Sequence, residues 1–458
     1  MIHLLVMALL SSILVLEYLV RDRGLLSSYF LLVPELLSGI AMLIVFARLV
    51  AGVRISLDWR YGAFIAVLLG TIVFGYAVQE VPTGAMVAGA RNYLKFIPFF
   101  LLPAVYPFTW KQIRAQLMLV MAILMVQTPL AFYQRFVEFA NKMNDGDPVK
   151  GTTTSSSSLS MFMVVAIAGV VILYLRGRLR LLAVLVLVAW LFMPTTINET
   201  KATIILLPFA LLVPALTMPP GSRAARKLVP IAAIGAMAGF AFVVMYNSLI
   251  AYRDYSHTLG DMVNGPGLIK YYFYTGAAEN QDAQYVGRFD SIEFAFEHTA
   301  RDPITFAFGM GAANVAESAL QQFAGKYWSY YMRYGVGQTQ VTTFLWEVGA
   351  VGLLAYLALF WFLGSDALLL AKSGNDAAVL GQLWTVAMIV MAFGLLYKAV
   401  FSMNDVGYLF WHFSGVVASR AVAVRREQRS FTRRPIPAAW RLGMDELPAG
   451  GELGMPRP

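Results

Sequence analysis

The residues able to do chemistry in this sequence are few, and they gather at the edges of apolar runs. Arg91 and Lys95 open one hydrophobic run and Lys201 opens another; Arg288 and Asp290 lie in a long polar segment, and Glu347 falls inside the run that follows it. Several cations converging on one vestibule would make an anion site beside a membrane, where low dielectric strengthens each charge-assisted contact. A lipid-linked diphosphate is a ligand that would sit there, held by Lys201, Arg91, Lys95 and Arg288. Taken singly, each cation has another explanation, in lipid headgroup contact or in pairing with an acid such as Glu199. Glu347, in WEVGAVG, is an ionisable group within a span. Such a group marks function by default, the alternative being a pair with Arg or Lys of another helix. Glu17 and Glu35 lie nearer the ends of their runs.

The elements that must hold these residues are read from hydropathy. Apolar residues make up 59% of the 458 and charged residues 13%, with mean hydropathy +0.65. Soluble globular chains carry about 25% charged residues, so the composition predicts an all-α polytopic membrane protein. At about 20 residues per crossing, the runs predict about twelve transmembrane helices. They fall near 2–20, 28–50, 61–79, 93–108, 115–133, 157–175, 180–193, 202–218, 228–246, 341–364, 381–401 and 406–424. The first has no basic leader and no small-residue cleavage motif before Arg21, and reads as an uncleaved helix.

The formal charge of +9 would suit nucleic acid, but its distribution points to a membrane. Arg48, Arg54, Arg60, Lys111, Arg114, Arg176, Arg178, Arg180, Arg223, Arg226 and Lys227 sit in short links, and Arg425, Arg426, Arg429, Arg433 and Arg434 follow the last span. With twelve spans these share one side with both termini, and the positive-inside rule makes that side cytoplasmic. Arg91, Lys95, Lys201 and Arg288 then stand on the other side, against the usual bias. Cysteine is absent, which removes disulfides and thiolate metal sites.

The chain divides into membrane helices over 1–246, a polar loop over 247–340, membrane helices over 341–424 and a tail over 425–458 that reads as disordered. No solenoid repeat and no similarity between halves is present. In the loop, Phe289, Ile292 and Phe296 predict a short helix with one apolar face. Gly309-Met310-Gly311 breaks the chain, and Val315, Leu320 and Phe323 suggest a second helix, so the loop reads as a helical cap on the membrane domain. Tyr327, Trp328, Tyr330, Tyr331 and Tyr334 form either an interfacial belt or, through Trp328 and Tyr331, faces that stack on sugar rings. GTTTSSSSLS, residues 151–160, reads as a flexible loop ending in a helix N-cap, or as a sugar-contacting hydroxyl cluster.

Four stretches together resemble the O-antigen ligase/polymerase superfamily of lipid-linked glycan transferases: GARNYLKFIP (89–98), NETKATI (198–204), GRFDSIEFAFEHTARDPITFAFGMGAAN (287–314) and TFLWEVGAVG (343–352). The shared pattern is a multi-span protein with a large outer loop, an Arg early in that loop, a later G-x-G turn and an E-x-G-x-x-G-like start to the next helix. The resemblance implies a GT-C-type glycosyltransferase that uses undecaprenyl-diphosphate-linked glycans at the periplasmic face of the bacterial inner membrane, with no nucleotide cofactor and no metal. It implies matching roles for Lys201 and Arg288. The His that ligases carry before the next span is absent, since the region reads Gln338-Thr339-Gln340.

That comparison favours a polymerase of O-antigen or exopolysaccharide, with a lipid-linked oligosaccharide as donor and acceptor and with a chain-length regulator and a flippase as partners. An O-antigen ligase acting on lipid A-core, and a transporter or flippase, are the alternatives. A lipid diphosphate is already a good leaving group, so what remains is stabilising its charge, through Arg288, Lys201 and Arg91, and helping the incoming hydroxyl. Glu347, Asp290 and His298 are the candidate bases.

Overall fold

The computed structural model describes residues 2–140, 148–198, 200–218, 227–250, 286–316, 318, 323–331, 334–373 and 376–432. It is 81% helical with no strand among the described residues, which makes the protein an all-α membrane protein. The N-terminal half carries α1 (Ile2–Glu17), α2 (Val33–Val50), α3 (Trp59–Val78), α4 (Thr83–Leu94), α5 (Ile97–Val105), α6 (Trp110–Tyr133), α7 (Ser156–Leu175), α8 (Leu181–Ile197), α9 (Ala202–Leu216) and α10 (Leu228–Ile250). After the polar segment come α11 (Arg288–Thr299), α12 (Pro303–Phe308), α13 (Trp328–Tyr331), α14 (Gln340–Glu347), α15 (Gly349–Ala371), α16 (Asp376–Tyr397) and α17 (Asn404–Thr432).

Among the described residues, eight helical stretches are long and apolar enough to cross a membrane: Ile2–Asp22, Ser28–Val50, Trp59–Val78, Trp110–Glu138, Ser156–Leu175, Leu228–Ser248, Gln340–Ala371 and Asp376–Tyr397. The other expected spans take different forms. The run at 93–108 is split into α4 and α5, because Pro98 has no N–H to give the carbonyl of Leu94 and its ring obstructs a continuing turn. Those at 180–193 and 202–218 become the shorter apolar helices α8 and α9. The last, expected over 406–424, is one helix that continues to Thr432, so residues 425–432 belong to it rather than to a tail. The span expected at 341–364 is interrupted where Gly349 takes φ +66°.

α7 and α16 form the centre of the bundle, with 78% and 67% of their membrane windows buried against 22% and 17% for the stretches that hold α2 and α10. Side-chain contacts sort the helix ends into two sets. At one end the carboxylate of Asp366, fully buried in α15, accepts from the guanidinium groups of Arg60 and Arg425 and from the Tyr61 hydroxyl at 2.6 Å. Asp376 bridges Arg114 and Arg178, each at 2.9 Å, Arg176 bonds Gln382 at 2.8 Å, and Lys227 bonds the Tyr174 carbonyl at 2.6 Å. This Arg-rich end gathers the links that the sequence marks as basic. The opposite end gathers Glu17, Glu35, Thr154, Gln340, Tyr397 and Asn404, and with them the polar segment.

Asp366 is the fully buried carboxylate that accepts from both Arg60 and Arg425, with Asp58 at 3.9 and 3.5 Å from the same two arginines, and removing one partner of a buried pair costs roughly 3–5 kcal/mol. Asp366→Ala is therefore expected to lower the melting temperature of the purified protein by several degrees; an unchanged melt would show that the cluster does not hold the helices together.

Candidate functional site

α4 presents two faces, since residues four apart stack on one side of a helix. Gly89 and Tyr93 form one of them. A Cβ on Gly89 would lie 2.6 Å from the backbone of Ala312, so only glycine permits that contact. One turn on, the Tyr93 hydroxyl donates to Glu347 Oε2 at 2.7 Å. Arg91 and Lys95 form the other face. Arg91 forks onto Glu35, with Nε 2.8 Å from Oε2, while the Lys95 ammonium donates to Asn404 Oδ1 at 2.7 Å.

The first face fastens the cap. Gly309 takes φ +74° where a Cβ would come within 2.6 Å of the Glu347 carbonyl carbon, and the Met310 N–H donates to the Trp346 carbonyl at 2.7 Å. Glu347 also accepts from the backbone N–H of Ala313, so its carboxylate clamps the turn from below. Asn314 closes the segment through the Met310 carbonyl at 2.8 Å and the Lys326 N–H at 3.1 Å. Glu347 is 6% exposed and occupied by these contacts, which makes it a residue that positions the turn.

α11 lies along α14, and α12 against α15 and α3. The expected helix at Phe289–Phe296 is present, but its face is rotated: Ser291, Ala295 and Thr299 are buried, while Phe289 and Phe296 are 40% and 52% exposed. Small residues let α11 approach α14 closely, and Ser291 Oγ meets Thr342 Oγ1 at 3.1 Å. Val315 lies in a turn, and most of the second expected helix, like residues 251–285 with His257, lies outside the described residues. Asp302 caps α12 by accepting from the Thr305 N–H at 2.8 Å and hydroxyl at 2.7 Å, which holds its carboxyl below the usual range.

The second face of α4 belongs to a polar cluster. Glu17 accepts from the Thr154 hydroxyl at 3.0 Å, and Asp405, fully buried, accepts from the Thr154 N–H at 3.0 Å. Glu17 and Glu35 both act electrostatically on Lys95. The serine- and threonine-rich segment ends in the expected N-cap, Ser155, but its start is not loose. Gln134 bonds both backbone groups of Gly151, and the Gln127 carbonyl oxygen accepts from the Thr152 N–H at 2.8 Å. Asn198 of NETKATI ties in from the other side, donating to Ser156 and Ser160, each at 3.1 Å.

The remaining candidates have other neighbours at this end. Lys201 lies 6.0 Å over the Tyr246 ring, and Glu199 is outside the described residues. Arg288 donates to the Tyr397 carbonyl at 2.9 Å and covers the Tyr397 ring at 4.5 Å; Asp290 follows in the first turn of α11. Tyr331 packs on Trp346 at 4.7 Å within a cluster that includes His298, whose Nδ1 donates to the Phe294 carbonyl at 2.9 Å. Trp328 is half-buried in α13. Sequence reasoning missed Tyr93, Thr154, Asn404, Asp405 and Asp366; the spacing of Tyr93 from Gly89 was the one available signal.

Fold and site together define a multi-pass, all-α membrane protein with a polar side-chain cluster and packed short helices at one end of the bundle. No protein-family model and no curated protein matches the chain.

Tyr93→Phe is expected to cost roughly 1–3 kcal/mol by leaving a buried acceptor short of a donor, and to speed hydrogen exchange in residues 309–314. Equal exchange in variant and wild type would remove the clamp. Because the Asp302 pKa is depressed in the fold, its stabilisation of α12 is present above the ordinary aspartate range and lost as pH falls through the lowered value. Exchange in 303–308 should therefore rise with acidification in wild type, and Asp302→Asn should flatten that dependence.

Proposed function

We propose that the protein is a membrane glycosyltransferase that polymerises undecaprenyl-diphosphate-linked repeat units of O-antigen or exopolysaccharide at the periplasmic face of the bacterial inner membrane. The observation that carries the reading is the double use of α4: the segment that locks the cap through Gly89 and Tyr93 turns Arg91 and Lys95 to the opposite side, onto Glu35 and Asn404. A cap fixed to the same helix that presents the cations suits a site that must hold a charged lipid headgroup and a glycan in register. Counting α4–α5 and α14–α15 as one crossing each gives twelve crossings; the Arg-rich end is then cytoplasmic by the positive-inside rule, with both termini, and the cap is periplasmic.

In the proposed step, a hydroxyl of the acceptor glycan attacks the anomeric carbon of the donor. The new C–O bond forms as the bond to the diphosphate breaks, and the diphosphate leaves with the electron pair. Lys95, Arg91, Lys201 and Arg288 stabilise that charge, and the hydroxyl proton passes to a carboxylate of the same end, Glu17, Glu35 or Asp290. Trp328 contributes a stacking face for the glycan. Glu347 acts by positioning.

Polymerase is preferred to ligase because the stretch before α14 carries no base. Gln340 is 3% exposed and its side-chain oxygen accepts from the Phe401 N–H at 2.8 Å, a latch on the turn that leads to Asn404. A flippase is the second reading, favoured by the interrupted helices α4–α5 and α14–α15.

Purified protein with an undecaprenyl-diphosphate oligosaccharide is expected to yield a ladder of longer lipid-linked glycans without added core. Arg288→Ala and Lys95→Ala should each slow it by about 10²–10³, the usual cost of removing one charge-stabilising donor. Product only in the presence of lipid A-core would make the protein a ligase. No product with any cognate donor would transfer weight to transport.

A further inference from the structure

α11 is divided lengthwise into stripes of different chemistry. Ser291, Ala295 and Thr299, four apart, are buried where the helix lies on α14. Glu293 and Glu297, also four apart, are exposed. The stripe between these two holds Phe289, Ile292 and Phe296, at i, i+3 and i+7, and Phe296 is 52% exposed. A helix packed in water turns its largest apolar side chains inward. Here the small ones face the protein and the phenyl rings face away from it.

The exposed stripe runs into surface that a bilayer must cover. Phe296 meets Phe306 of α12 edge-on at 5.4 Å, and Phe308 packs on Phe74 of α3 at 4.3 Å. Ile304 lies one turn from Phe308 on α12 and is 46% exposed. Phe74 shares a face of α3 with Val67 and Val78, at i, i+7 and i+11, and all three are exposed. α3 is apolar enough to cross a membrane, and only 33% of its window is buried in the protein. α12 sits where α3 ends and α15 begins: the Gln79 amide donates to the Thr305 hydroxyl at 3.0 Å, and a Cβ on Gly349 would lie 2.5 Å from the Ala307 carbonyl oxygen. α15 packs on α3 and likewise leaves Leu354 and Leu357 exposed.

Charge sets the other limit of the hairpin. Glu293, Glu297, Arg301 and Asp302 are exposed, beside the rings rather than among them. An element with charges on one flank and rings continuous with a lipid-facing helix on the other fits the boundary between headgroups and acyl chains. A soluble partner would have to cover Phe296 and Ile304 and stop at the adjoining face of α3. A bilayer covers both at once.

We propose that the α11–α12 hairpin is an interfacial membrane element, with Phe296, Ile304 and Phe289 inserted about 5–10 Å into the leaflet at the cap end and the acidic flank of α11 in water. Its partner is the acyl-chain boundary of the bilayer at the rim of the α3–α15 surface. The contact holds whatever reaction the protein catalyses.

The chain has no cysteine, so single-cysteine variants of the full-length protein report without background. Nitroxide labels at Phe296→Cys and Ile304→Cys, in nanodiscs of phosphatidylcholine and phosphatidylglycerol, are expected to collide more with dissolved oxygen than with a water-soluble nickel chelate, as at Val67→Cys on α3. Glu293→Cys and Glu297→Cys should show the reverse order. Preferential collision with the chelate at positions 296 and 304 would place the hairpin in water, and exclusion of both reagents would show it covered by protein; either result overturns the assignment. Wild type decides the matter if a labelled variant misfolds. A carbene generated from a diazirine dissolved in the acyl chains is expected to modify residues 289–304 along with α3, and modification of α3 without the hairpin would overturn the assignment.

Discussion

The hydrogen bond from Tyr93 to Glu347 is the contact on which the arrangement of the cap end depends. It is made inside a bundle, where water cannot replace a lost partner, so each group fixes the other. Glu347 is the last residue of α14, two positions before the left-handed Gly349 that interrupts the span, and it also holds the turn that begins at Gly309. Tyr93 stands one turn from Gly89, which admits the backbone of that same turn. Cap, interrupted helix and α4 are thereby fixed to one another, and the rotation of α4 is set. With that rotation set, Arg91 and Lys95 stand on the opposite side of α4, where Glu35 and Asn404 meet them.

At the Arg-rich end, Asp366 and Asp376 each take two arginines, so charge is used to tie helices together. At the other end Arg91 likewise forks onto Glu35, Arg23 pairs with Glu138 and Lys150 with Asp22, while Lys95 is held by a neutral amide, with Glu17 and Glu35 in its surroundings. A cation held by a neutral partner keeps its attraction for an anion, whereas one locked in a buried pair has largely spent it.

Much of the fold was legible because hydropathy is a local signal, and the eight long helices follow it. The failures trace to information that is not local. Pro98 marked the break between α4 and α5, yet the apolar run on either side disguised it as one span. The aromatic stripe of Phe289 and Phe296 was read as a buried face under the rules of soluble helices; beside a membrane, small residues make the close contact and large apolar ones stay outside. The roles of Arg91, Lys95 and Glu347 as a group were half legible. Their types and places marked them, but Tyr93 and Glu347 are 254 positions apart and Asp405 meets Thr154 across 251, separations that no spacing rule connects.

The most direct test of the central claim is to locate the lipid diphosphate on the protein. An undecaprenyl-diphosphate oligosaccharide carrying a photoreactive group beside the diphosphate would be bound to the protein in nanodiscs, cross-linked and mapped by peptide sequencing. The account predicts labelling concentrated in residues 91–95 and 404–405, competed by unlabelled donor. Labelling confined to the Arg-rich end, or spread over the bundle without competition, would contradict it.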